Sequence, residues 1–169
     1  PADRSKAGYL GSERDGGYAQ FCAIPARNVY PVESDLSDVE LASFPCSWAT
    51  AEHMLTRPGL TAGETIVVTG ASGGVGTALV QLAKLRGARV VAVTTASKFD
   101  DVAACGADVL VDRSSGDLSG AVAEAAGGPV DVWADVVGGP DFALLLELLR
   151  RGGRYTTAGA IAGPMVALD

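Results

Sequence analysis

A glycine-rich segment is the part of the sequence whose residue types and spacing point most directly to chemistry. Residues 70–76 read Gly-Ala-Ser-Gly-Gly-Val-Gly, between an apolar run that predicts a buried strand and a segment with helical spacing of apolar residues. In that context the glycines allow a tight turn, a close approach to a pyrophosphate and close packing of helix on sheet. The helix N-terminus would bind the phosphates through its free N–H groups and dipole. The candidate cofactor-binding residues of this loop are Gly70, Ser72, Gly73, Gly74, Val75 and Gly76.

The spacing of these glycines also fits a second pattern. Gly70, Gly73 and Gly76 form G-x-x-G-x-x-G, whereas Thr69, Gly70, Gly74 and Gly76 form T-G-x-x-x-G-x-G, which resembles the short-chain dehydrogenases. Two observations count against that second interpretation. The preceding strand starts only after 64 residues, and none of the 4 tyrosines is followed by lysine in a Tyr-x-x-x-Lys arrangement. A site for S-adenosylmethionine, which contains no pyrophosphate, is a third and weaker alternative.

The turn after the next predicted strand, residues 89–95, indicates which dinucleotide would bind. An NAD site usually has an acidic residue there to bind the ribose diol. This sequence has Thr94 and Thr95 instead, followed by Ser97 and Lys98. Hydroxyl groups and a cation suit a 2′-phosphate, so the turn favours NADP(H) over NAD(H), with Thr95, Ser97 and Lys98 as ligands. In the alternative interpretation, Ser97 caps a short helix and Lys98 is only solvated.

Alternating strands and helices must position these residues. Apolar runs predict strands at 65–69, 89–95, 108–112, 130–137 and 154–158, and helical spacing predicts helices at 75–86, 97–105, 118–126 and 142–151. Strands with nearly continuous Val, Ile and Leu are buried on both faces, so the sheet is parallel with helices on each side. The predicted fold class is α/β, a doubly wound (Rossmann) sheet. Ligands of such sheets lie beyond the carboxyl ends of strands, which adds Val137, Gly138, Gly159 and Ala160 as candidates.

The first 60 residues have a less regular pattern. Residues 17–24 alternate as a strand would, and Ser37 with Glu40 predicts a capped helix start. A further helix is predicted at 47–55. We therefore divide the chain into residues 1–60, a less regular region with connecting helices, and residues 61–169, the dinucleotide-binding domain.

Composition and charge exclude several other classes of protein. The 13 basic and 20 acidic residues give a net charge of -7, which argues against a nucleic-acid or anionic-membrane partner. The sequence has no apolar run long enough to span a membrane. Its 3 widely spaced cysteines support neither a disulfide framework nor a CxxC metal site. We expect a cytoplasmic protein with a small-molecule substrate.

Five segments together resemble one family, the medium-chain dehydrogenase/reductase superfamily of zinc-type alcohol dehydrogenases and quinone oxidoreductases. They are GGYAQFCAIPARNVYPV (16–32), LASFPCSWATAEHML (41–55), GLTAGETIVVTGASGGVGTALVQLAKLRGARVVAV (59–93), GADVLVDR (106–113) and GGRYTTAGAIAG (152–163). The resemblance implies an NADP(H)-dependent oxidoreductase that transfers hydride between nicotinamide and a carbonyl or alcohol, or an activated alkene. It also implies that residues 1–60 are the C-terminal remnant of a GroES-like catalytic domain, and that most of that domain and the end of the cofactor domain are missing. The parent is expected to be a homodimer.

The resemblance also implies roles for single residues. Cys46 falls where zinc-dependent members have a catalytic zinc ligand, Thr50 falls where the family contacts the nicotinamide, and Gly159 and Ala160 fall beside its carboxamide. A catalytic zinc needs three protein ligands, so we expect zinc only in the intact parent. For this chain alone we expect cofactor binding without turnover. A non-catalytic dinucleotide-binding module is the alternative function.

Overall fold

The computed structural model describes residues 8–166, which form two compact units, residues 8–36 and residues 37–166. The first unit contains one 3-10 turn, Ala26–Asn28, and an isolated bridge between Leu10 and Arg14. The strand predicted at 17–24 is wrong, because these residues form no ladder. A strand needs a hydrogen-bonded neighbour, and residues 17–24 pair with no other segment within residues 8–36. The domain division at residue 60 stays a prediction.

The second unit begins with a long helix, α1 (Asp38–Thr56). The predicted capping box is confirmed: the Glu40 N–H donates to the Ser37 hydroxyl at 3.4 Å, and the Ser37 N–H donates to the Glu40 carboxylate at 2.8 Å. The prediction of a separate helix at 47–55 is wrong, because α1 continues through Pro45. Phe44 and Trp48, which flank Pro45 in the sequence, stack with ring centroids 5.0 Å apart.

The predicted parallel sheet is confirmed. Its five strands are all parallel and lie in the order β3-β2-β1-β4-β5. This order places β1 at the centre, where the chain crosses from one half of the sheet to the other. The bounds are β1 (Thr65–Thr69), β2 (Arg89–Thr94), β3 (Val109–Asp112), β4 (Val130–Asp135) and β5 (Leu149–Thr157).

Helices cover both faces of the sheet, and each face has its own apolar core. The helices after α1 are α2 (Gly74–Leu85), α3 (Phe99–Ala104), α4 (Leu118–Ala126) and α5 (Phe142–Leu146). Ile66 and Val68 of β1 pack in the cluster that includes buried residues of α1 and α2, while Val67 packs with Trp133 in the other cluster. Alternate β1 residues therefore enter opposite cores, as strand geometry requires. None of the helices in residues 8–166 is long and apolar enough to cross a membrane.

Two predicted boundaries near the later strands are wrong. The helix predicted at 142–151 ends at Leu146, and β5 begins at Leu149. The register shifts there, because Val130 pairs with Leu149 but Val132 pairs with Arg154. Gly152 lies within the resulting bulge with φ of 78°, a left-handed conformation that favours glycine.

Ser97 does not cap a helix, which corrects the alternative interpretation of that residue. Residues Ala96–Lys98 form a 3-10 turn, and Lys98 occupies the N-cap position of α3 without a side-chain cap. The turn is closed by the Lys98 N–H, which donates to the Thr95 carbonyl at 2.9 Å. Ser97 therefore lies inside the turn, where its side chain is exposed.

A cluster of ion pairs fixes the bulge of β5 to the amino ends of β1 and β4. Arg154 donates to both carboxylate oxygens of Glu64 at 2.7 Å, and Arg150 donates to Asp131. The other Asp131 oxygen accepts the Thr65 N–H at 2.8 Å. This cluster lies at the end of the sheet opposite the candidate site.

Candidate cofactor site

A cleft with a volume of about 570 Å³ lies at the carboxyl ends of β1, β2 and β4. This is where a doubly wound sheet places its ligand. The structure brings six of the predicted site residues together in its lining: Gly70, Ser72, Thr95, Lys98, Val137 and Gly138.

The glycine loop has the geometry that its sequence predicts. Gly70 has φ of 67°, and its carbonyl accepts the Gly73 N–H at 3.1 Å. Gly73 is the N-cap of α2, so the first N–H groups of that helix lie at the loop. A side chain at Gly76 would place its Cβ 2.1 Å from the Gly70 oxygen. Only glycine fits there, because the start of α2 lies directly on the loop. Gly73, Gly74, Val75 and Gly76 form this first turn, beside the cleft lining rather than within it.

The α1 helix packs against the same loop. A Cβ at Gly74 would lie 2.8 Å from the Ser47 hydroxyl. Cys46 and Thr50 lie on α1 outside the cleft lining; Cys46 is exposed, and the Thr50 hydroxyl donates to the Cys46 carbonyl at 2.7 Å. Their catalytic and zinc-binding roles stay predictions.

Cys46 has no companion ligands within the described part of the chain. No group of three or more His, Cys, Asp or Glu side chains in residues 8–166 is placed to hold a metal ion. A catalytic zinc site needs three such ligands. These residues therefore do not fit a zinc ion by themselves.

The turns after β4 and β5 lie against each other. The Ala158 N–H donates to the Asp135 carbonyl at 3.1 Å, and the Ala162 N–H donates to the Val137 carbonyl at 2.9 Å. A Cβ at Gly138 would lie 3.4 Å from the Cα of Ala160. A Cβ at Gly159 would lie 2.8 Å from the Val136 carbonyl oxygen. The structure thus brings Gly138, Gly159 and Ala160 together, although the last two lie outside the cleft lining.

Asp135 is a site residue that sequence reasoning missed. The residue is 1% exposed, and its carboxylate accepts hydrogen bonds from the Thr69 hydroxyl, the Val137 N–H at 2.9 Å, the Gly138 N–H at 3.1 Å and the Tyr155 hydroxyl at 3.0 Å. Burial raises the pKa of Tyr155 to about 12, so the phenol keeps the proton that it donates. The available signal was an acidic residue at the end of an otherwise apolar strand, immediately before two glycines and a proline.

Cationic side chains line the cleft near the ends of β2 and β3. Lys98 is exposed, and its ammonium group lies 3.3 Å from the Asp101 carboxylate. Arg113, which sequence reasoning also missed, lines the cleft from the turn after β3 and makes no ion pair with any residue in 8–166. The signal was its position directly after an apolar strand. Ser97 is not part of the lining, which contains two acidic residues, Asp135 and Asp141.

Two buried polar atoms of the lining have no hydrogen-bond partner among residues 8–166. They are the Thr94 hydroxyl oxygen and the Trp133 indole nitrogen, in residues that are each 2% exposed. Buried polar groups in native proteins are nearly always hydrogen-bonded. The glycine loop and the cationic side chains fit a polar, phosphate-bearing ligand. The fold and the site thus define a dinucleotide-binding α/β domain.

The chain belongs to the zinc-binding dehydrogenase family, whose model matches residues 74–169. It is 34% identical over 157 residues to an acryloyl-coenzyme A reductase of Metallosphaera sedula, covering 93% of this chain and 46% of that protein. It is 33% identical over 159 residues to an L-threonine 3-dehydrogenase of Anaeromyxobacter sp., covering 92% and 45%. The resemblance to the medium-chain dehydrogenase/reductase superfamily is thereby confirmed. The chain spans about half the length of the curated relatives that it matches.

Solved structures agree with this assignment. A putative alcohol dehydrogenase from Sinorhizobium meliloti superposes with a TM-score of 0.90 at 56% identity, covering 95% of this chain and 45% of that one. The quinone oxidoreductase from Thermus thermophilus, solved also in complex with NADPH, superposes with a TM-score of 0.78 at 34% identity, covering 89% and 49%. The relatives are named dehydrogenases and reductases, so the family is one of oxidoreductases.

Proposed function

We propose that this chain is the cofactor-binding part of an NADP(H)-dependent oxidoreductase that transfers hydride between nicotinamide and a small carbonyl or alcohol, or an activated alkene. The observation that carries the proposal is the cleft beside the glycine loop, in which the end of β2 presents Thr95 and Lys98 rather than a carboxylate. The names of the relatives, which include an acryloyl-coenzyme A reductase and a quinone oxidoreductase, support reductase chemistry.

The preference for NADP(H) rests on the charge of the cleft. A 2′-phosphate brings additional negative charge and acceptor oxygens, which guanidinium and ammonium groups bind strongly. Arg113 is the stronger candidate ligand, because Lys98 already has Asp101 as a partner. Asp141 and the buried Asp135 are the acidic residues of the lining. The neighbours support either cofactor, since they include both the NADPH complex and an NAD-dependent alcohol dehydrogenase.

The residues of this chain would bind and orient the cofactor rather than carry out bond making. When bound, NADP(H) supplies the hydride. The first turn of α2 would bind the pyrophosphate through N–H groups and the helix dipole. The turns that contain Gly138 and Gly159 would flank the nicotinamide half, and Thr50 would approach the nicotinamide ring. A zinc ion, a homodimer interface, the small-molecule substrate and a cytoplasmic location are proposals for the parent protein.

A non-catalytic dinucleotide-binding module is the second candidate for the chain by itself. It is favoured by Cys46, which has no companion ligands for a metal among residues 8–166. The two candidates differ in turnover. A chain that oxidises NADPH with a quinone or an enoyl thioester is an enzyme, whereas one that binds NADPH without turnover is a module.

The test is a pair of fluorescence titrations of this chain, one with NADPH and one with NADH. We expect NADPH to bind at least about tenfold more tightly, equivalent to about 1.4 kcal/mol. R113A should remove most of that preference, while R151A, at an exposed position outside the cleft lining, should keep it. Equal binding of both nucleotides would overturn the NADP(H) preference. Binding of neither would overturn the dinucleotide site.

A further inference from the structure

A buried carboxylate joins three strand ends at the cleft. Asp135 lies at the end of β4 and is paired in the sheet register with Thr69 of β1 and Thr157 of β5. Its oxygens accept from a hydroxyl on β1, a hydroxyl on β5 and two N–H groups of the turn that follows β4. The same turn contributes Val137 and Gly138 to the cleft lining. Asp135 thus connects the strands to the backbone that a cofactor would contact.

Gly138 needs this support because of its conformation. Its φ is 63°, and a Cβ there would contact the Gly163 oxygen at 3.2 Å and the Cα of Ala160 at 3.4 Å. The turn is therefore narrow and follows a path open only to glycine. The carboxylate of Asp135 accepts hydrogen bonds from the Val137 and Gly138 N–H groups within this turn, so it determines the direction in which the turn leaves β4.

We propose that Asp135 is a positioning residue for the cofactor, which holds the turn at residues 136–139 in its binding conformation through the Val137 and Gly138 N–H groups. The inference rests on the proposed function, since it concerns the same cleft. Asp135 itself would not contact the cofactor, because its carboxylate oxygens already accept hydrogen bonds from four protein donors.

The variant D135N tests this role with almost no change in volume. A carboxylate offers only acceptors, whereas an amide has one acceptor oxygen and one NH₂ donor. The Gly138 N–H lies 3.1 Å from one carboxylate oxygen and 3.2 Å from the other, so the NH₂ group would face this donor in both orientations. In one orientation it would also face the Val137 N–H at 2.9 Å. Either orientation sets donor against donor at the turn, while the contacts with the Thr69 and Tyr155 hydroxyl groups can adapt, because hydroxyls both donate and accept.

Y155F is the matched control. It removes one hydrogen bond to Asp135 but leaves both N–H contacts of the turn in place. Tyr155 is not part of the cleft lining. A merely structural role for the network would give both variants the same effect on cofactor affinity. A positioning role predicts weaker cofactor binding for D135N alone.

The measurement is the Kd for NADPH and for NADH of the full chain and both variants, with thermal unfolding recorded in parallel. We expect D135N to bind each nucleotide about tenfold more weakly, the usual effect of an unsatisfied buried donor, with the preference between the two nucleotides unchanged. We expect Y155F to stay within about twofold of wild type. Equal affinities for D135N and wild type would overturn the inference and leave the proposed function standing.

Amide hydrogen exchange of the wild-type chain provides a second test if D135N does not fold. We expect the Val137 and Gly138 amides to exchange much more slowly than those of the exposed residues 72–74, because their acceptor is buried. Fast exchange at both positions would overturn the inference. Failure of the wild type to bind either nucleotide would overturn the proposed function and the inference together.

Discussion

Replacing Gly76 by alanine should test the packing of α2 on the glycine loop most directly. The added Cβ would lie 2.1 Å from the Gly70 oxygen and 2.7 Å from the Cα of Ala71, both of which are backbone atoms. An ordinary contact is about 3.4 Å or longer, so α2 must move by about 1 Å, and overpacking of this kind costs about 1–3 kcal/mol. The better helix propensity of alanine offsets about 0.5–1 kcal/mol of that cost. We expect a net loss of stability together with weaker cofactor binding.

The assay for G76A is denaturant unfolding combined with an NADPH titration. G128A is the control, because a Cβ at Gly128 meets nothing within 4 Å. For a chain of this size each 1 kcal/mol corresponds to a shift in Tm of about 2–4 °C. We expect G76A to unfold several degrees below wild type and to bind NADPH about tenfold more weakly, while G128A matches wild type in affinity. If G76A and G128A behave alike, α2 does not lie as close to the loop as the structure places it.

Two further predictions concern stability away from the cleft. S37A removes one half of the capping box of α1 and should cost about 1 kcal/mol, measured by urea unfolding, with the exposed S12A as the control; no difference between the two would refute the capping role. Burial raises the pKa of Glu64, but its hydrogen bond from Arg154 and the charge of that group outweigh burial and hold the pKa below its usual 4.5. The Glu64–Arg154 ion pair therefore stabilises the fold above pH 4.5. This contribution is lost as the pH falls through the lower pKa that Glu64 has in the folded state. We expect the unfolding free energy of E64Q to depend less on pH below 4.5 than that of wild type, and identical pH profiles would refute the argument.

The parts of the fold that the sequence predicts correctly are those determined by local pattern. Residues 66–68 form a continuous apolar run and β1 is central in the sheet, so the pattern and the structure agree. The start of α1 follows from Ser37 and Glu40, because a capping box forms from residues only three positions apart. The boundary between α5 and β5 was missed because leucines at 144–149 fit a helix as well as a buried strand. Only the pairing with β4 decides between the two.

The missed site residues share one property, which is that their role depends on contacts far apart in the chain. Asp135 acquires its partners because β4 lies between β1 and β5, bringing Thr69 within hydrogen-bonding distance across 66 positions. Arg113 enters the cleft because β3 lies beside β2, so that the turn after β3 comes close to the turn that carries Lys98. Neither residue stands in a recognisable motif. The glycine loop, in contrast, is a local motif, and its turn at Gly70 and the start of α2 agree with the sequence pattern, while its cofactor-binding role stays a prediction.

Under the proposed function, one set of cleft residues would determine the affinity for either dinucleotide, and another set would determine the preference for NADPH over NADH. The glycine loop and the turn held by Asp135 would contact parts that NADPH and NADH share, whereas Arg113 and Lys98 would contact only the 2′-phosphate. D135N should therefore weaken both nucleotides by the same factor, while R113A should weaken NADPH alone. The double variant tests this separation: because the two residues lie at different parts of the cleft, their effects on NADPH binding should add in free energy. A double variant no weaker than D135N alone would mean that the turn and the cationic residues act on one and the same contact.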